Sequence, residues 1–236
     1  MIAVAFALPA ESSGFVRLLE NRSQERRDGS VRVLGQLHRE AVLVLHVGVG
    51  EKIAARRMRR FFDERPHLRL LISAGFAGAL GEELRIGDLL VADNFSAPRS
   101  VGVARRTLRD LPHCIGKLAS TDRVLDSTSE RQKFAEKSGA LGVDMETHAI
   151  AKECDRASVP LLSLRIVTDT PKLPFPAPPD VLFDVETQKT DPLKLAFYLA
   201  THPLAIARLA MFSRRISAAR RQLTHALDLL LRAPLP

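Results

Sequence analysis

The feature that most limits what this chain can fold into is the alternation of short apolar runs with segments of helical period. AVLVLHV (41–47) runs into GVG (48–50) and on into EKIAARRMRRFFDER (51–65), where Ile53, Ala54, Met58, Phe61 and Phe62 form an apolar stripe. Further strand-like runs are IAVAFAL (2–8), VRVLG (31–35), LRLLISAG (68–75), IGDLLVAD (86–93) and PLLSLRIVTD (160–169). Helices are expected over 127–137 and from Glu146 onward. Apolar strands alternating with helices predict an α/β protein, a three-layer α/β/α sandwich around a central mixed twisted sheet.

The 236 residues, 46% of them hydrophobic, suit one large domain with a full core. We expect residues 1–190 to form it and 191–236 to be a basic helical extension packed on it. Asp191-Pro192 and His202-Pro203 read as helix starts, and Ile216, Leu223, Leu227 and Leu230 share a face opposite Arg214 and Arg221. PKLPFPAPP (171–179) carries five prolines and reads as an extended loop, usually only a connector, whose place after Asp169 makes an active-site lid worth considering.

The net charge of +8 is uneven, since residues 191–236 hold seven Lys or Arg against two Asp. A solvated helix face explains that tail best; contact with an anionic membrane is the minority reading, and nucleic acid ranks last because aromatics are scarce. No apolar run is long enough to span a bilayer. The N-terminal run lacks the basic start of a signal peptide, and Cys114 and Cys154 are too few for a disulfide framework or a zinc site. The cytoplasm is the expected compartment, with no metal and no cofactor.

Several polar groups fall at strand ends: Glu11 past the first strand, the glycines of GVG and of SAGFAG (73–78, with Gly75 and Phe76), Met145 and Glu146 at a strand-to-helix junction, and Thr168 and Asp169 closing the strand that carries Arg165. Ligands of open α/β sheets collect there. Each group alone has a plainer reading. Glu11 and Glu146 could cap helices, and Asp169 could form a turn. GVG lacks the third glycine of a dinucleotide fingerprint, Ile53 standing in its place, and SAGFAG lacks the Lys-Ser/Thr of a P-loop. Arg165 is harder to dismiss, because a buried guanidinium needs a carboxylate, such as Glu11 or Glu146. His46 and His148 read as packing or ordinary polar residues.

Taken together, ALPAE (7–11), HVGVGEKIAA (46–55), LLISAGFAGAL (70–80), LRIGDLLVAD (84–93), GVDMETHAIAKEC (142–154) and LRIVTD (164–169) resemble, in order and spacing, the nucleoside phosphorylase and nucleosidase superfamily. The branch most similar is the nucleosidases for 5′-methylthioadenosine and S-adenosylhomocysteine. VDMETH and the basic tail also resemble the hopanoid-associated phosphorylases, which act on adenosylhopane.

The resemblance implies roles. Met145 and Glu146 would bind the ribose, Glu146 accepting from its two vicinal hydroxyls. Asp169 would pass a proton towards N7 of the purine. Glu11 would activate water, with Arg165 beside that water, and Asp144 would be a lesser neighbour. Gly75, Phe76, Val124 and Thr168 would line the substrate site. Phe76 stands where the nucleosidases place a serine, and Val124, in STDRVLD (120–126), replaces the ring that stacks on the base. A homo-oligomer is implied as well.

Water and phosphate are rival nucleophiles. Glu11 would repel a phosphate dianion, and Arg165 is the one obvious cation, with Arg17 able to assist. Hydrolysis of an adenine-type nucleoside is therefore expected, ahead of phosphorolysis and of a catalytically inactive nucleoside-binding protein.

Overall fold

The computed structural model describes residues 1–27, 30–64, 66–173, 181, 198 and 201–235. Within them the chain runs β1 (Ile2–Phe6), α1 (Pro9–Val16), β2 (Glu20–Arg27), β3 (Ser30–Leu37), β4 (Glu40–His46), α2 (Glu51–Asp63), β5 (Leu70–Ala79), β6 (Leu89–Ala92), α3 (Pro98–Thr107), β7 (His113–Gly116), β8 (Leu118–Ser120), α4 (Thr128–Ser138), β9 (Gly142–Asp144), α5 (Thr147–Arg156), β10 (Leu161–Asp169) and α6 (Pro203–Arg232).

The strands form one mixed sheet in the order β2-β3-β4-β1-β5-β10-β6-β7, with β9 pairing β5 and β8 pairing β9. Its centre, β4-β1-β5-β10, is parallel, so these strands are buried on both faces and read as continuous apolar runs. The pleat of β1 shows what each face receives. Ile2, Val4 and Phe6 join Phe15 of α1, Val103 and Ala104 of α3, and Ala219, Leu223, Ala226, Leu227 and Leu230 of α6. Ala3 and Ala5 meet Ala54, Met58, Phe61 and Phe62 of α2 and Ile150 and Cys154 of α5. Helices thus cover both sides of the sheet. No described helix is long and apolar enough to cross a membrane.

Several local expectations change. The hairpin between β3 and β4 turns at His38 and Arg39, both at positive φ. Four elements had no counterpart in the reading: β2, α3, β7 and β8. Strand β2, ENRSQERR, is exposed at every position; it is an edge strand whose charges discourage pairing with another chain, so it lacks the apolar pattern that marks a strand. SAGFAG lies inside a strand rather than past its end. Strand β5 runs through it to Ala79, paired with β10. The Asp191-Pro192 helix start and all but the first three residues of the Pro-rich loop lie outside the described residues.

Candidate active site

The site begins as a gap beside β5. Its pairing with β1 ends at Ser73, and its pairing with β9 starts only at Gly78. Between them one edge of β5 has no neighbouring strand among the described residues, and the N–H of Phe76 needs an acceptor. Glu11, from the first turn of α1, supplies it. Its Oε1 accepts from Phe76 N at 3.0 Å and its Oε2 from Leu8 N at 3.0 Å. The second bond is the helix-capping role that sequence alone allowed; the first ties the carboxylate to the sheet. Gly75 makes room for it, since a Cβ there would lie 3.0 Å from Glu11 Oε1.

Two further carboxylates enter the same hollow. Glu146 sits at the junction of β9 and α5 and accepts from Gly50 N at 2.8 Å, which brings the GVG turn after β4 to the site. Asp169 ends β10, where a register shift between Val167 and Asp169 sets it opposite Gly78. Glu11, Glu146 and Asp169 are 7%, 8% and 2% exposed. All three line one cavity of about 170 Å³, together with Phe76, Val124, Met145, Thr168, Asp144 and Arg131.

Burial governs the acidity of these groups, because it disfavours the charged form. It pushes the Glu146 carboxyl up to about 8, helped by the charge of Asp144 and opposed by the Gly50 N–H. It raises Glu11 above the usual carboxylate range despite the N–H groups of Leu8 and Phe76. It raises Asp169 as well, against the pull of Arg131.

Gly75 and Arg165 are not among the cavity-lining residues. The bonds of Arg165 hold it within the protein framework. Nε donates to Asp144 Oδ2 at 2.9 Å, Nη1 to the carbonyls of Ser73 (2.8 Å) and Leu164 (3.1 Å), and Nη2 to the hydroxyls of Ser73 (2.8 Å) and Thr147 (2.6 Å). A guanidinium has five N–H donors, and all five are spent inside the protein. Its carboxylate partner is Asp144, not Glu11 or Glu146. Asp144 is therefore central to the framework: it also accepts from Ser120 Oγ at 2.5 Å and from the backbone and hydroxyl of Thr147, which locks the start of α5 just past Glu146. Arg17 is exposed at the end of α1 and does not line the cavity.

His46 is a satisfied core residue, bonded to Ser12 Oγ (2.7 Å) and Val31 O (2.8 Å). His148 is exposed and lies edge-on to Phe95. Sequence reasoning missed Arg131, which is 1% exposed and bonded to Asp169. A signal was present: on α4, Arg131 shares the inward face with Phe134, Ala135 and Ser138. Among the described residues no group of three or more His, Cys, Asp or Glu is placed to hold a metal ion.

Comparison with known proteins bears on the fold and the family. The chain is 25% identical over 197 residues to a 5′-methylthioadenosine/S-adenosylhomocysteine nucleosidase of Staphylococcus epidermidis, covering 72% of this chain and 86% of that one. It is 26% identical over 202 residues to the protein of the same name from Staphylococcus aureus, with the same coverage. The fold superimposes on the nucleosidase of S. pneumoniae bound to the transition-state inhibitor MT-ImmA with a TM-score of 0.75, at 20% identity and 98% coverage of both chains. A futalosine hydrolase mutant of Helicobacter pylori gives a TM-score of 0.73, at 15% identity and 98% coverage of both. The family model of the phosphorylase superfamily matches residues 1–107 and 98–196, most of the chain, and the protein belongs to that superfamily.

Proposed function

We propose that this protein hydrolyses the N-glycosidic bond of an adenine-type purine nucleoside, as the names of its curated relatives state for them. One observation carries the reading: three buried carboxyl groups, from α1, the β9–α5 junction and the end of β10, surround a single cavity. Glu146 accepts hydrogen bonds from the ribose diol, since one carboxylate offers acceptors to two donors. Glu11 takes a proton from water as the water oxygen bonds to the anomeric carbon. The bond to the purine breaks with its electron pair on the base, and Asp169 gives that base a proton. A raised pKa suits both proton carriers: Glu11 becomes a stronger base, and Asp169 keeps its proton nearer neutrality. The negative side of the cavity also favours the positive charge that develops on the sugar.

Water is the nucleophile on this reading. A phosphate dianion needs free cationic donors. The arginines lining the cavity are Arg123, paired with Glu130, and Arg131, paired with Asp169, and the donors of Arg165 are all engaged. The reading includes a homo-oligomer working in the cytoplasm; sedimentation velocity on the purified chain checks the assembly.

The test is adenine release from 5′-methylthioadenosine, S-adenosylhomocysteine and adenosine, with and without phosphate. Equal rates with the unphosphorylated sugar of each nucleoside as product support hydrolysis. Strict dependence on phosphate would make the enzyme a phosphorylase, and binding without turnover would make it a nucleoside-binding protein.

A further inference from the structure

Asp169 is held from α4 by a side chain that none of these steps uses. The guanidinium of Arg131 donates from Nε to Leu125 O at 2.9 Å, from Nη1 to Ala79 O at 3.0 Å, and from Nη2 to Asp169 Oδ2 at 2.5 Å. Its acceptors come from the loop after β8, from the end of β5 and from the end of β10. Gly78 clears the space for the pair, because a Cβ there would lie 2.8 Å from Asp169 Oδ2 and 3.1 Å from Arg131 Nη1. Burying both charges costs several kcal/mol per ion, and an apolar side chain on the same helix face would avoid that cost. The planar fork of arginine is what reaches three fixed acceptors at once.

We propose that Arg131 is the positioning residue of the acid: it fixes the Asp169 carboxyl through Oδ2 and receives the charge left there when the proton passes to the departing base. The inference rests on the reading of Asp169 as the proton donor. As the O–H bond of Asp169 breaks, its electron pair stays on the carboxylate, already facing a cation that needs no rearrangement. Thr168 Oγ1 holds the other oxygen, Oδ1, at 3.1 Å. The charged groups acting on Asp169 are Arg131 from α4 and Arg215 from α6. The hydrogen bonds that hold the carboxyl come from Arg131 and Thr168, not from Arg215. The same guanidinium grips Leu125 O, so it also ties the acid to the loop that carries Val124.

The experiment compares the parent with Arg131→Gln, Arg131→Lys and Asp169→Asn on the full chain. Carboxyl ¹³C NMR on aspartate-labelled protein reads the Asp169 titration, its resonance identified by its loss in Asp169→Asn. Removing a charge this close should raise the Asp169 pKa by about 1–3 pH units in Arg131→Gln. Arg131→Lys, which keeps the charge but not the fork, should stay within about one unit of the parent. The alkaline limb of kcat/KM should move upward with the NMR value in Arg131→Gln. Each arginine variant should lose kcat about 10-fold or more in the parent, and less than about 3-fold in the Asp169→Asn background, because residues acting as one unit are not additive. Should Arg131→Gln fail to fold, the same cycle run with Arg131→Lys decides. An Asp169 titration unmoved in folded Arg131→Gln, or losses that multiply independently of Asp169, would overturn the proposal. The NMR arm does not need turnover, so a parent without nucleosidase activity would refute the reading of the reaction and leave the Arg131–Asp169 coupling separately decided.

Discussion

Arg165 and Asp144 are joined inside the core, with Arg165 Nε and Nη2 both 2.9 Å from Asp144 Oδ2 and the two side chains 3% and 1% exposed. The pair links β10 to the β9–α5 junction, and so sets Asp169 and Glu146 relative to each other. Removing one partner leaves an uncompensated buried charge. Asp144→Ala and Arg165→Ala should each lower the unfolding free energy by about 3–5 kcal/mol, measured by urea denaturation. Loss of activity in Arg165→Ala at unchanged stability would instead place that arginine in the chemistry.

Asp169→Asn retains the shape of the side chain and removes its transferable proton. It should lower kcat by about 10²–10⁴-fold, with an unchanged circular dichroism spectrum. A variant as active as the parent would remove Asp169 from the mechanism.

Glu146→Ala should act on binding. A hydrogen bond is worth about 0.5–1.5 kcal/mol net, so losing two should raise KM about 10–100-fold, with a smaller effect on kcat. Nucleosides lacking the 2′- or 3′-hydroxyl should discriminate less between parent and variant. The same KM for both proteins would mean that the diol is held elsewhere.

Gly75→Ala brings a Cβ to 3.0 Å from Glu11 Oε1. The carboxyl must give way and loosen its bond from Phe76 N. A misplaced catalytic group loses rate steeply, so kcat should fall about tenfold or more. Steady-state kinetics beside thermal unfolding checks whether activity drops while the fold persists.

Stability should depend on pH through Glu146. Its carboxyl is raised to about 8 in the folded protein, from an ordinary value of 4.5. Between these values the folded state binds more protons than the unfolded one. Stability from this group is therefore fully present below about pH 4.5 and lost as pH rises through about 8, by at most about 1.4 kcal/mol per pH unit. Burial raises Glu11 and Asp169 too, with the same sign. In Glu146→Gln the decline between pH 5 and 8 should flatten, read from urea midpoints; an unaltered slope would show that Glu146 does not titrate there.

What the chain declares by itself is local and periodic. Apolar runs such as IAVAF and LLISA, helix stripes such as Met58 with Phe61 and Phe62, and the succession of strand ends are properties of neighbours in sequence, and they were enough to read an α/β sandwich with candidate carboxylates at its strand ends. The charged edge strand β2 was illegible, because solvent exposure on both faces leaves no apolar pattern. So were the partners of Arg165 and the inward turn of Arg131, because a buried charge chooses its companion by distance in space. Residues 144 and 165 meet only because β9 and β10 both pair with β5, and 131 meets 169 only because Gly78 lets them approach. Tertiary structure alone decided which carboxylates stay open to a ligand and which are consumed in holding the sheet together. That choice depends on three-dimensional distance and burial, which set the cost of a charge and which no order of residues states on its own.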